Sequence, residues 1–511
     1  TTAAQIQKAK DLNNSRQLDI HKISDYPEVK SVVGHIFSGM ETQGLTNKRY
    51  ADTLKDHIRT IVLYLYAAYR SDPTMYISYS RNKNDYKKGS RYKALFWGYT
   101  NTIKVIDFLK DNGYIENHKG MYDRNNPVKS RQSRMKATGK FVQVVEKKNQ
   151  VTWPMIQRNG NEETIILRDA EGKDTDYTDN DETIRMRKSL EEINDVLEKT
   201  PILLELTDSQ FYRLNTRLRN DPQRQAVDYT SKKLKRVFNN GSFTQGGRFY
   251  GGWWQWVPRW YRKYITINFK DTVELDYSGL HINMMYAMEK YPLPKDDPYT
   301  LKGYGNIRDF LKKVLQSFIN APDRKTAKQA IQKAINFNEI AQPKSIKSID
   351  DVLDEFEKKH APIKKYFCSG KGIELQYQDS MMAERIMLHW ARRGYTILPV
   401  HDSFITFTTL KDEVEDAMDI AFHDMFGVHS KIDLKATVRE EQRKKSAQFR
   451  KKRGITDPFL THEQFDHYRR QYRKYHELQA EFTKSHTLHQ LTTYNILLTI
   501  ISNLPSPYFP L

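Results

Sequence analysis

At 511 residues the chain is long enough for two to four domains, each with its own core. A formal net charge of +20 exceeds what solubility requires and implies an anionic partner, nucleic acid before a membrane surface; 31 tyrosines and 7 tryptophans interleaved with the basic residues suit phosphate contact combined with base stacking. The single cysteine, Cys368, excludes an internal disulfide and argues against a structural zinc site, and no uncharged apolar run approaches the ~20 residues of a membrane span, so the sequence reads as a cytoplasmic protein.

Residues 1–45 are polar and weakly patterned, without the apolar core of a signal peptide. From Arg49 on, YADTLKDHIRTIVLYLYAAYRS carries apolar residues at helical spacing. A basic loop then leads to TNTIKVIDFLKDNGYIENHKG, where Ile103, Val105, Ile106, Phe108 and Leu109 form a helix face that Asn112-Gly113 stops. A short strand at 114–116, a polar loop at 119–129 and a return through SRQSRMKATGKF follow. This order resembles the recognition helix and wing of winged-helix domains, which would set Lys93, Lys104, Arg124, Arg131, Arg134 and Lys136 on phosphate. An ordinary helix and hairpin with a solvated basic face explains the same residues. The expectation for 1–150 is a mainly helical, winged-helix-like nucleic-acid-binding region.

The acidic run DTDYTDNDE at 174–182 reads as an exposed loop and a domain boundary; it is no calcium loop, because the glycine and closing glutamate of an EF-hand are not at their spacings. Residues 151–240 read as a thumb-like helical region whose last three helices are TIRMRKSLEEINDVLEK, SQFYRLNTRLRN and VDYTSKKLKRVFNN. Next, SFTQGGRFYGGWWQWVPRWYRKYITI sets four glycines and four tryptophans around Arg248. Glycines allow close backbone approach and the rings offer stacking faces for bases, an aromatic core with a tight turn being the plainer alternative.

Two aspartates carry the chemistry. Asp276 closes the apolar strand TVELD and opens SGLHINMMYAM, and Asp402 follows ILPV in the same manner. A lone aspartate after a strand serves as readily as a turn or helix cap. A pair brought together holds two Mg²⁺ ions, with Mn²⁺ as a substitute, which activate an attacking hydroxyl and stabilise a leaving pyrophosphate across ~3.5–4 Å. Between the two, NIRDFLKKVLQSFINA sets Arg308 and Lys312 on one helix face as a phosphate-binding stripe, and a second pair, Arg324 and Lys328, follows. LQYQDSMMAERIMLHWARRG reads as a helix beginning near Asp379 and stopping at Gly394, with Gln376 and Gln378 in reach of a minor groove. KIDLKATV reads as the last core strand, and 441–511 as a basic extension with an apolar end that docks on the body.

In order, Gly-Gly-Arg-Phe-Tyr, Leu-Asp-Tyr-Ser-Gly, Arg-x3-Lys and Val-His-Asp-Ser-Phe resemble the superfamily of family A DNA polymerases and the bacteriophage and mitochondrial single-subunit RNA polymerases, over about 230–440. The resemblance places Asp276 at the motif A aspartate, with the Tyr277 carbonyl as a further metal ligand, and Asp402 at the motif C aspartate, where His401-Asp402-Ser403-Phe404 reproduces the H-D-S-F of the RNA enzymes. In motif B, Arg308-x3-Lys312-x7-Asn320-Ala321 keeps the basic pair and replaces the tyrosine-glycine of the relatives, so that Asn320 would stand against the nucleotide; Arg324 to Lys328 is a rival for this motif. Arg248 stands where R-G-R or T-G-R occurs, and implies contact with template or primer, as does His401 beside the catalytic turn.

The departures bear on the product. His281 stands where the DNA enzymes have a glutamate that excludes ribonucleotides and the RNA enzymes a glycine, and a bulky ring crowds a 2′-hydroxyl. The fold expected is therefore α+β, a right-hand polymerase core (palm sheet with helical fingers and thumb) at 241–440, acting on primer, template and nucleoside triphosphates and leaning to DNA synthesis. The alternatives are a single-subunit DNA-directed RNA polymerase, a non-templated or protein-primed polymerase of a mobile element or antiviral system, and a non-catalytic nucleic-acid-binding replication protein.

Overall fold

The computed structural model describes residues 12–86, 90–92, 96–122, 124–125, 130–158, 160–220, 226–337 and 339–435. All belong to one compact unit, Thr1–Phe449; Lys93 and the basic extension expected at 441–511 lie outside the described residues. Secondary structure is mixed α+β, as expected.

Strands β1 (Ser15–Gln17) and β2 (Lys22–Ile23) precede helices α1 (Pro27–Thr42) and α2 (Ala51–Ser71). Residues 60–68 of α2 are buried on every face, so this helix forms the middle of the N-terminal core. Strand β3 (Tyr76–Tyr79), helix α3 (Tyr99–Asp111), β4 (Ile115–His118) and β5 (Ser133–Ala137) follow, and the sheet runs β1-β3-β5-β4 with only the β1–β3 pair parallel. Helix α3 ends where the Asn-Gly pair predicts, with Gly113 at φ +72°. Three of the basic side chains around it are engaged internally. Lys104 Nζ donates to the Leu45 carbonyl at 3.1 Å, Arg134 Nε to the Leu12 carbonyl at 3.2 Å, and Lys136 pairs with Glu116 at 3.0 Å. Arg131 pairs through its backbone with Met121 at the base of the loop.

Next come β6 (Gln157–Arg158), β7 (Ile165–Leu167), α4 (Asp181–Lys199), β8 (Ile202–Leu204), α5 (Asp208–Asn220), β9 (Lys235–Asn239) and β10 (Ser242–Tyr250). Here one expectation fails: VDYTSKKLKRVFNN is not a helix, because its last residues form β9. Asn240 and Gly241 both have positive φ (55° and 65°) and make the two-residue turn that returns the chain as β10. Strand β9 is further held by parallel pairing with β7.

Arg236 of β9 is fully buried. Its guanidinium donates to Glu384 at 2.7 Å, to Ser380 Oγ at 2.9 Å and to the Gly247 carbonyl at 2.9 Å, between the rings of Phe238 and Phe249. Ser380 and Glu384 belong to a long helix that packs across β10. Gly246 and Gly247 have φ of +78° and +75°, and a Cβ on Gly247 would lie 2.7 Å from the Phe238 ring and 3.0 Å from Ser380 Oγ. Glycine is therefore required for the close approach of strand and helix that the Gly-Gly-Arg sequence foreshadows.

The chain continues as β11 (Ile265–Ile267), β12 (Lys270–Tyr277), α6 (Leu280–Met288), α7 (Arg308–Asn320), α8 (Arg324–Asn336), α9 (Ile349–Lys359), α10 (Gly372–Ala391), β13 (Leu398–Val400), β14 (Ser403–Phe407), α11 (Lys411–Phe426) and β15 (Ile432–Lys435). With β8 these strands make a six-stranded antiparallel sheet in the order β13-β14-β12-β11-β8. β12 is its centre, pairing β14 on one edge and β11 then β15 on the other. The helix expected to begin near Asp379 begins at Gly372: Asp379 lies on its buried face, in register with Leu375, Met382 and Ile386, and is no cap.

Candidate active site

The two aspartates of the sequence lie on adjoining backbone segments at one end of the six-stranded sheet. β13 and β14 are joined by a two-residue turn, His401-Asp402, with Val400 opposite Ser403. His401 sits at φ +60°, a conformation glycine normally supplies in such turns and a strained one for a side-chain-bearing residue. Asp276 of β12 lies directly opposite Ser403, and Tyr277 N donates to the Asp402 carbonyl at 3.4 Å. Strand alternation sends Tyr277 to the other face, where its hydroxyl donates to the Met418 carbonyl at 2.6 Å and its ring packs on Phe422. On the opposite edge of β12, Asp433 pairs in register with Asp276 and its carboxylate lies 3.8 Å from Lys431 Nζ. Among the described residues no three His, Cys, Asp or Glu side chains form a ready-made metal cage.

A cleft of about 570 Å³ opens beside this turn. Asp402, His401, Arg248 and His281 line one side; Lys312, Gln316 and Asn320, one face of α7, line the other. Gln376 of α10 also reaches it. Arg308, four residues before Lys312, does not line the cleft: its guanidinium is bound by the Asp297 carboxylate, and it lies 5.2 Å from the Tyr299 ring centre. The rival basic pair is committed elsewhere. Arg324 bonds Asp350, Asp354 and Glu357, and Lys328 bonds Asp350 at 2.6 Å, all on α9, so only the first Arg-x3-Lys run presents a cation to the cleft. Asn320 Nδ2 donates to the Gln316 carbonyl at 2.8 Å, and Gly372 packs directly on the Asn320 amide.

Arg248 and His281 are joined by a residue to which the sequence attached no role. Buried Asp379 accepts from Arg248 Nε at 3.0–3.1 Å and from its Nη2, and from His281 Nε2 at 2.9 Å; Arg248 and His281 are themselves 3.2 Å apart. The arginine expected to touch template or primer thus has a carboxylate anchor, and the histidine expected against the sugar is fixed in orientation. Burial alone would push the Asp379 carboxyl up, but the Arg248 charge and the hydrogen bonds from His281 and Arg248 outweigh it and hold the pKa below the ordinary 3.8. A carboxyl whose folded pKa is depressed stabilises the fold fully above the unfolded value and loses that contribution as pH falls through the folded one. Acidification below about pH 4 should therefore weaken the chain. Asp379→Asn should cost about 1–3 kcal/mol at pH 7 and flatten the decline between pH 5 and 2, as read from urea unfolding at each pH.

The tryptophans divide. Trp253 and Trp254 are fully buried, and Trp254 Nε1 donates to the Pro399 carbonyl at 3.0 Å, bracing β13 beneath the His401-Asp402 turn rather than offering a stacking face. Trp256 and Trp260 are exposed, with the Arg217 guanidinium 4.1 Å from the Trp260 ring centre. Tyr250, also exposed, packs edge-on against His401 at 5.9 Å.

No family model and no curated protein matches the chain. Among solved structures, the POL domain of Pol1 from M. smegmatis, in complex with DNA primer-template and dNTP, aligns over 84% of this chain and 68% of that one, at 10% identity and a TM-score of 0.27. An overlap that loose carries no argument about function. No helix among the described residues is long and apolar enough to cross a membrane.

Proposed function

We propose that the chain is a nucleic-acid polymerase that adds nucleotides to a 3′-hydroxyl at Asp276 and Asp402. The observation that carries this reading is that those two acids, distant in sequence, come to one sheet end, where Asp402 lines a cleft together with the Lys312 face of α7 and Asp276 stands on the adjoining strand. Hard oxygen donors of this kind suit Mg²⁺, which usually takes one or two carboxylates and completes its shell with water and phosphate oxygens. Asp276, Asp402 and the Tyr277 carbonyl would hold two Mg²⁺ or Mn²⁺ ions. Those ions, when bound, supply activation of the hydroxyl and charge stabilisation at the leaving pyrophosphate.

The remaining roles fall to this chain's own side chains. Lys312 meets the triphosphate, Asn320 and His281 bound the space for sugar and base, and Arg248 with His401 borders the primer or template. Exposed Tyr250, Trp256 and Trp260 extend the surface on which unpaired bases stack. Primer extension with dNTPs or NTPs supplied in turn tests the reading; a wild-type chain that incorporates neither would overturn it.

DNA is the favoured product because the His281 ring, pinned by Asp379 and Arg248, borders the cleft and cannot swing aside to admit a 2′-hydroxyl without breaking that network. RNA synthesis is the second reading, supported by the His-Asp-Ser-Phe wording at the turn. If the first holds, His281→Ala should raise NTP use relative to dNTP use by about tenfold or more, measured as a ratio of kcat/KM values. A wild-type preference for NTPs favours the second.

A further inference from the structure

We infer that Tyr299 is a positioning residue that holds the Lys312 ammonium ready for the triphosphate, an inference that rests on the nucleotidyl-transfer reading. Tyr299 is 6% exposed and lines the cleft together with Lys312 and Asp402. Lys312 Nζ lies 5.3 Å from the centre of its ring. The basic neighbours of Lys312 are neutralised by carboxylates: Arg308 by Asp297, Lys313 by Glu339 at 3.2 Å, Arg324 and Lys328 by α9. Among the described residues, Lys312 alone of this group has no such partner, and its ammonium lies instead over the Tyr299 ring, which the Asp297-bound Arg308 also approaches at 5.2 Å.

The ring itself is rigidly mounted. Tyr299 N donates to Asp297 Oδ1 at 2.9 Å, Lys359 Nζ donates to the carbonyls of Asp297 and Thr300 at 2.7 and 2.5 Å, and His360 Nε2 bonds the Pro298 carbonyl at 2.9 Å. Pro298 abuts Gly279, three residues after Asp276, so the strap that carries Tyr299 ties α9 to the strand bearing the catalytic acid. An aromatic face attracts an ammonium yet does not neutralise it. Lysine is a flexible point charge, and a carboxylate partner would compete with an arriving polyphosphate where a ring yields. Tyr299 should therefore act on nucleotide KM far more than on kcat, through its ring and not its hydroxyl.

Binding of inorganic tripolyphosphate, measured calorimetrically at low salt on the full chain, needs neither primer nor turnover. Tyr299→Phe should bind within about twofold of wild type, whereas Tyr299→Leu and Lys312→Gln should each bind about tenfold more weakly, and the double variant no more weakly than Lys312→Gln. A phenylalanine series at 299 with increasing ring fluorination, which weakens the π face while keeping its shape, should weaken binding stepwise even if Tyr299→Leu fails to fold. Undiminished binding by folded Tyr299→Leu, a flat fluorination series, simple addition of the two losses, or no binding by wild type would each overturn the inference. Failure of the polymerase reading looks different: no nucleotide incorporation by wild type, with the tripolyphosphate pattern intact.

Discussion

Replacing Asp276 or Asp402 with Asn or Ala should lower Mg²⁺-dependent incorporation by about a thousandfold or more, a loss of ~4 kcal/mol of transition-state stabilisation. Nucleic-acid binding, followed by fluorescence anisotropy, should stay within about threefold, because neither carboxylate is among the cationic and aromatic groups that carry binding. The fold should tolerate both changes. Asp276 contributes to the sheet through its backbone pairing with Ser403 and Asp433, and Asp402 occupies a turn, so side-chain replacement leaves the ladder in place. Activity within a few-fold of wild type in either variant would remove the assignment of the acids.

The largest effect on stability is expected at Glu384. Its carboxylate, 4% exposed as a residue, accepts from Arg236 at 2.7 Å and from Arg185 at 2.9 Å. Glu384→Ala leaves the wholly buried Arg236 guanidinium with only neutral partners, and breaking a buried pair from one side costs about 3–5 kcal/mol. Because Asp379 and Ser380 lie on the same helix, the loosened α10 should also misplace Arg248 and His281, so activity should fall along with the urea midpoint. Arg236→Met combined with Glu384→Leu should recover much of the stability, since an apolar pair of similar bulk removes both charges together. A single Glu384→Ala variant that unfolds at the wild-type midpoint would show that the pair contributes nothing.

Much of the site could be read from local pattern. Strands that are apolar and end in aspartate stood out at Asp276 and Asp402, and the four-residue spacing of Arg308 and Lys312 placed both on one helix face. Pairing partners supplied by the fold then separated them, Arg308 going to Asp297 and Lys312 facing the cleft. Asp379 was hidden for a physical reason: an acid inside an apolar stripe looks like a helix start until the arginine that neutralises it, far away in sequence, is seen beside it. β9 is hidden for another reason: its turn residues, Asn240-Gly241, lie in the sequence, but the lysine-rich run before them resembles a helix. Tyr299 carried no local signal at all. Its place depends on a strap held by Lys359 and His360 from another helix.

Among the basic residues of the N-terminal region, Lys104, Arg134 and Lys136 each have a partner in the fold that the sequence does not reveal. Sequence registers the cation, whereas the fold assigns it a carbonyl or a carboxylate. The same reasoning applies to the tryptophans. Two of the four became core because the segment turns beneath β13, a tertiary fact, while Trp256 and Trp260 kept the exposure that stacking requires.

In the proposed reaction Asp276 and Asp402 together hold the ions of nucleotidyl transfer. Crystals grown with Mn²⁺ and a non-hydrolysable nucleoside triphosphate, measured for anomalous scattering at the manganese edge, address it directly. Two peaks ~3.5–4 Å apart between the two carboxylates and the triphosphate are expected. Triphosphate bound in the cleft with no manganese at either aspartate, or manganese bound only elsewhere, would contradict it.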